Sequence, residues 1–113
     1  MKRVVYIASP FAGDIEGNIE RTKRYSRFVL ENGCVPFNPI LNLIGVVREE
    51  TERETAMQID LAILQRVDEV WAFGTPSVGM KREISEAFDL CIPVRYFMEC
   101  DGVLTECSHR GVA

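Results

Sequence analysis

The chain has 113 residues, which fits one domain, and such a length buries a core without disulfides or metals. Hydrophobic residues make up 47% and charged residues 27%, with a net charge of -4. That balance is ordinary for a soluble globular domain and carries no basic footprint for polymeric nucleic acid. No run reaches the roughly 20 apolar residues of a membrane span.

Met1-Lys2-Arg3 leads straight into Val4-Val5-Tyr6-Ile7-Ala8, without the apolar core and cleavage site of a signal peptide. A cytoplasmic protein with reduced thiols is therefore expected. The apolar run 4–8 has strand length. Its lack of polar alternation predicts burial on both faces, as in a parallel sheet. Ser9-Pro10-Phe11-Ala12-Gly13-Asp14 breaks it as a loop. Asn18 is the expected N-cap of a helix that runs to about Asn32 and stops at Gly33. Thr22, Tyr25 and Val29 share one face of it, with Phe28 beside them.

Cys34-Val35-Pro36-Phe37 reads as a short second strand, and Pro36 favours an edge position. Residues 40–47 are mostly apolar and fit either a short helix or a mobile lid. A second helix is expected from Thr51 to about Arg66, a third strand over 68–73 and a third helix over 79–91. A fourth strand follows over 93–98. Asp101-Gly102 is a turn, after which Val103-Leu104-Thr105 adds a possible short strand. The order β-α-β-α-β-α-β predicts an α/β fold. It is a small open parallel sheet of four or five strands with helices on both faces.

Two places in this frame are chemically unusual. Thr75-Pro76-Ser77-Val78-Gly79-Met80 carries the chain from the strand Val70-Trp71-Ala72-Phe73 into the third helix. That turn belongs at the carboxyl edge of the sheet, where ligands bind in open α/β folds. Glu83 lies about one turn into the helix. A solvated helix-start glutamate explains it equally well from spacing alone. The second place is Asp60, which falls inside the apolar stripe Ala56, Ile59, Ile63, Leu64 and Val67. A buried carboxylate is costly, so either it accepts structural hydrogen bonds or it serves a pocket in which burial raises its pKa.

The loop after the first strand reaches the same edge. It brings Ser9, Gly13, Asp14 and a helix N-terminus that attracts anions. Tyr6 is compatible with an ordinary core role, and Lys81 and Arg82 with solvated helix positions. Two carboxyl groups at one crevice suit cleavage of a glycosidic bond, one attacking the anomeric carbon and the other protonating the leaving group. Cys100, Cys107 and His109 supply only three ligands in a short segment, so no structural metal is expected there, and the glycosidic chemistry itself requires no metal or organic cofactor.

Tyr6-Ile7-Ala8-Ser9-Pro10-Phe11, Asp60, Asp68-Glu69-Val70-Trp71 and Ser77-x-Gly79-Met80-x-x-Glu83 together resemble the nucleoside 2-deoxyribosyltransferase superfamily over residues 3–97. That superfamily includes the 2'-deoxynucleoside 5'-phosphate N-hydrolases. The resemblance is closest to small bacterial and phage domains. It implies a flavodoxin-like or Rossmann-like fold in a bacterial or phage-infected cell. It implies Glu83 as nucleophile, Asp60 as the group handling the leaving base's proton, and Tyr6 as the residue orienting Glu83. It places Ser9, Pro10, Phe11, Gly13, Ser77, Gly79 and Met80 at the substrate, a nucleoside or nucleotide. Ser77 falls on the phosphate-binding serine of the hydrolases. A homodimer or higher homo-oligomer is also implied. The tail from Cys100 matches nothing in the superfamily. A non-catalytic domain that sequesters a nucleotide-like signal is the alternative.

Overall fold

The computed structural model describes residues 2–108. Its elements follow in the order β1 (Val4–Ala8), α1 (Ile15–Glu31), β2 (Val35–Phe37), α2 (Pro39–Leu43), α3 (Arg53–Leu64), β3 (Glu69–Phe73), α4 (Val78–Asp89), β4 (Val94–Cys100) and β5 (Val103–Cys107). The five strands form one sheet in the order β2-β1-β3-β4-β5. β2, β1, β3 and β4 are parallel, and β5 returns antiparallel to β4. The sheet is therefore mixed at one edge. Asp101 and Gly102 both take positive φ, 51° and 78°, as a two-residue hairpin turn requires. That turn is what reverses the chain into β5.

Burial explains the unalternating strands. Every residue of β3 is buried, and so are Val5 to Ala8 of β1. Tyr6, Ala8, Val70 and Ala72 form one core face with Leu64 of α3 and with Met80, Ile84 and Ala87 of α4. Val5, Ile7, Trp71 and Phe73 form the other with Tyr25 and Val29 of α1. Tyr25 stacks on Phe73 with ring centroids 4.4 Å apart. A buried side chain of this size contributes on the order of 1.5–3 kcal/mol, so both faces hold substantial cores. The three-residue β2 lies at the sheet edge, where Pro36 removes no hydrogen bond that a further strand would need.

The helix boundaries differ from the sequence expectation at one informative place. α1 begins at Ile15 and is capped by Asp14, whose carboxylate accepts from the Gly17 N–H at 3.1 Å. Asn18 is buried in the first turn instead. Its Nδ2 donates to the carbonyls of Phe11 and Ala12 at 2.9 and 3.1 Å, which ties the preceding loop to the helix. An asparagine amide can donate as well as cap, and here the donor half wins. Val67 packs on the core from beyond the end of α3.

In the hairpin, Cys107 stands opposite Tyr96, and Cys100 opposite Val103. The two thiols thus lie four residues apart along β4, a distance of about 13 Å. His109 lies outside the described residues. Among the described residues, no helix is long and apolar enough to cross a membrane.

Candidate active site

The strand order changes direction between β1 and β3, since β1 leads through α1 to one side and β3 through α4 to the other. In such sheets a crevice opens beyond the carboxyl ends of those two strands. A cavity of about 420 Å³ occupies this position, lined by Ser9, Phe11, Asp60, Ser77, Gly79, Met80 and Glu83 among others. Three separate segments therefore reach one space: the loop after β1, the middle of α3 and the start of α4. Pro10 and Gly13 do not line the cavity. Pro10 is half-buried beside it, and Gly13 is exposed at φ 93° in the turn that delivers the chain to α1. Of the loop residues expected at the substrate, the structure thus brings Ser9 and Phe11 to the cavity and leaves Pro10 and Gly13 outside its lining.

Helical geometry explains how α4 delivers its functional groups. Ser77 is the N-cap, its hydroxyl oxygen accepting from the Met80 N–H at 3.3 Å. The N–H groups of Val78 and Gly79 belong to the first turn, where a helix leaves its donors unpaired. Both residues line the cavity, so the positive end of α4 faces it. Met80, Glu83, Ile84 and Ala87 follow on the buried face at helical spacing. Glu83 is thereby carried inward rather than to solvent, and is only 6% exposed. The solvated helix-start reading of Glu83 is excluded by that burial.

Tyr6 lies behind the cavity wall with no exposure, and its hydroxyl donates to Glu83 Oε2. Tyr6 is thus both a core residue and the partner of the carboxyl group. Asp60 projects from the apolar side of α3, and its Oδ1 is buried without a hydrogen-bond partner among the described residues. The structural explanation of Asp60, a carboxylate accepting backbone N–H groups or an arginine, finds no such donor at that oxygen.

Burial sets the electrostatics. It pushes Glu83 up to about 8, reinforced by the nearby Asp60 charge and opposed by the Tyr6 hydrogen bond. It pushes Asp60 up to about 7. Two like charges in one cavity titrate as a unit, so near neutrality the pair holds a shared proton. The Tyr6 O–H pulls Glu83 down without outweighing its burial, and the shared proton belongs to the pair rather than to either group alone.

A stability consequence follows. The ordinary carboxyl values are 3.8 and 4.5, and both groups are raised in the folded protein. Their contribution to stability is fully present below about pH 4 and is lost as pH rises to about 7 and 8. The lowered carboxyl groups, Asp14, Glu54 and Glu106, act only at more acid pH. Melting temperature is therefore expected to fall between pH 5 and pH 9. A double variant, Asp60→Asn with Glu83→Gln, is expected to flatten that profile. Calorimetry across this range checks it, and an unchanged slope in the double variant would contradict the assignment.

The cavity has an apolar wall that was noted in the sequence only as an ambiguous run. Ile40 and Leu43 of α2, then Ile44 and Val47 of the following turn, face Ala56 and Met57 of α3. α2 starts because Asn38 caps it and Pro39 occupies its first turn. The apolar residues 40–47 signalled this wall, but their spacing did not say what they would cover. Lys81 and Arg82 lie outside the cavity lining, and Arg82 instead pairs with Glu54 of α3 at 3.0 and 3.3 Å. Arg53 is the basic residue among those lining the cavity, and its side chain meets Glu49 at 3.5 Å.

Comparisons place this architecture. A solved 2-deoxyribosyltransferase from the psychrotolerant bacterium Bacillus psychrosaccharolyticus superposes with a TM-score of 0.69 at 19% identity, covering 90% of this chain and 77% of that one. At that identity the likeness shows a shared fold. No curated protein matches the chain in sequence. The model of one family, described as Domain of unknown function (DUF7768), matches residues 3–97, from the start of β1 into β4 and including every residue of the cavity. The chain belongs to that family.

Proposed function

We propose that this protein cleaves or transfers at the N-glycosidic bond of a nucleoside or, preferentially, a nucleotide. The observation that supports this most is the pair of carboxyl groups, Glu83 and Asp60, raised by burial in one cavity with Tyr6 bonded to Glu83. The carboxylate oxygen of Glu83 attacks C1' of the sugar. The C1'–N bond breaks, its electrons pass to the base, and Asp60 gives its proton to the base. A water molecule, or a second base, then attacks C1' of the glycosyl ester and restores Glu83. Whether water or a second base attacks, its proton returns to Asp60. The apolar wall of α2 and α3 suits the faces of a nucleobase, and the start of α4 suits a phosphate. A domain that only sequesters a nucleotide has no need for two buried carboxyl groups beside the sugar.

Incubation with a panel of deoxynucleotides and deoxynucleosides, with chromatography for free base, tests this reading. Release of base, or its exchange when a second base is added, is the expected result. Tight binding of a nucleotide without any release or exchange would favour sequestration instead.

The phosphate assignment has its own test. A 5'-nucleotide is expected to bind more tightly than its nucleoside, and Ser77→Gly is expected to narrow the difference. The narrowing should be about 1–2 kcal/mol, roughly five- to thirtyfold in affinity. Glycine is the chosen replacement because it costs an N-cap only a few tenths of a kcal/mol, whereas alanine removes the cap of α4. Titration calorimetry on both ligands measures it, and equal affinities in the unmodified protein would refute it.

A further inference from the structure

Behind Ser9 lies a chain of buried polar side chains that the catalytic reading does not use. Ser9 Oγ is 2.7 Å from Thr22 Oγ1. Thr22 is fully buried on α1, and its Oγ1 lies 2.9 Å from Asn38 Nδ2. The same Nδ2 reaches the Thr22 carbonyl at 3.1 Å and Ser26 Oγ at 2.9 Å. Asn38 Oδ1 accepts from the Leu41 N–H at 3.3 Å, as the N-cap of α2. The chain therefore links the cavity floor at Ser9 to the helix that builds the apolar wall.

The direction of every bond in this chain can be worked out. A backbone N–H only donates, so the group facing Leu41 must be the Asn38 oxygen. A backbone carbonyl only accepts, so the group facing the Thr22 carbonyl must be the Asn38 nitrogen. Both ends agree, and the amide orientation is determined. Asn38 thus donates to Thr22 Oγ1. Thr22 has one hydroxyl proton, and of its two hydroxyl partners only Ser9 can accept it. Ser9, already accepting from Thr22, keeps its own proton unspent. Ser9 also lines the cavity.

We infer that Asn38 and Thr22 are positioning residues that leave the Ser9 proton free to donate into the cavity, where an acceptor oxygen of the ligand takes it. That this oxygen belongs to the sugar or phosphate of a nucleotide rests on the proposed function; the direction of the chain does not. The arrangement costs little, because each buried polar group has a partner, and aligned hydrogen bonds in a buried chain strengthen one another. It also couples ligand contact at Ser9 to the cap of α2, since Asn38 serves both.

Neutron diffraction from deuterium-exchanged crystals of the unmodified protein tests the direction without any ligand. The deuterium on Thr22 Oγ1 is expected to point at Ser9, and that on Ser9 away from Thr22. A deuterium on Ser9 directed at Thr22 would overturn the inference. The positioning role is tested by affinity for a deoxynucleoside 5'-monophosphate. Thr22→Val, similar in shape but without a hydroxyl, is expected to weaken binding about fivefold, as for one neutral hydrogen bond. Thr22→Ser, which keeps the hydroxyl, is expected to restore it. A purely structural role would be overturning: valine would then bind as well as threonine per folded molecule. If the unmodified protein binds no nucleotide, the proposed function fails while the neutron map still decides the direction of the chain.

Discussion

Glu83→Gln is expected to abolish base release while leaving the fold intact. The amide matches the neutral carboxyl group in shape, and its oxygen can still accept from the Tyr6 hydroxyl that now donates to Glu83. It cannot form the glycosyl ester. Loss of a covalent nucleophile removes a whole reaction step rather than one contact, so a drop on the order of 10⁴-fold or more is expected. Stability should move the other way. Glu83 is raised to about 8 by burial, so at pH 9 the folded protein must carry a buried charge that the glutamine variant lacks. The variant should therefore be the more stable protein at pH 9, by a few kcal/mol at the order-of-magnitude level. Below pH 4 the two should be nearly equal. Paired measurements of turnover and melting check both limbs. Full turnover in the variant would remove the nucleophile assignment, whatever the melting curve shows.

Asp60→Asn is expected to lose turnover by about 10²–10⁴-fold, the range for a general acid. The loss should shrink for a substrate whose base leaves readily, since such a base needs little protonation. A structural aspartate predicts the opposite pattern. It would lose roughly 1–3 kcal/mol of stability as its donors lost a charged acceptor, with activity per folded molecule unchanged. Here Oδ1 is buried without a partner among the described residues, so no bonded donor at that oxygen would be orphaned. The group is raised to about 7 by burial, so the asparagine variant should be somewhat more stable than the parent above that pH. Turnover on a natural nucleotide and on an activated one, with melting curves of both proteins, separates the cases. A destabilised variant that works normally once folded would sink the catalytic role.

These two residues also mark what could be read before the structure. Asp60 stood out because it interrupts an apolar stripe, a contradiction visible in spacing alone. The same spacing could not distinguish a pocket from a set of structural donors. That depended on what the neighbouring elements place beside Oδ1. Glu83 was ambiguous for a related reason. Its position near a helix start fits solvent exposure, and only the docking of α4 against β1 and β3 turns it inward to Tyr6. Spacing points to Asn18 as the cap because a capping side chain and a loop-tying side chain occupy neighbouring positions. The chain's own Asp14 offered the cap four residues earlier.

The sequence by itself determined the alternation of strands and helices, the buried β1 and β3, the edge position of β2 and the Asp101-Gly102 turn. Each is a local consequence of hydrophobic periodicity or backbone restriction, and neighbouring residues suffice to express it. The cavity, the Tyr6–Glu83 bond, the apolar wall from α2 and the Asn38–Thr22–Ser9 chain were decided only by the tertiary structure. Their partners lie far apart in sequence, 77 residues for Tyr6 and Glu83 and 16 for Thr22 and Asn38. Pairings of that kind depend on sheet order and on which face each crossover covers, and no local pattern encodes either.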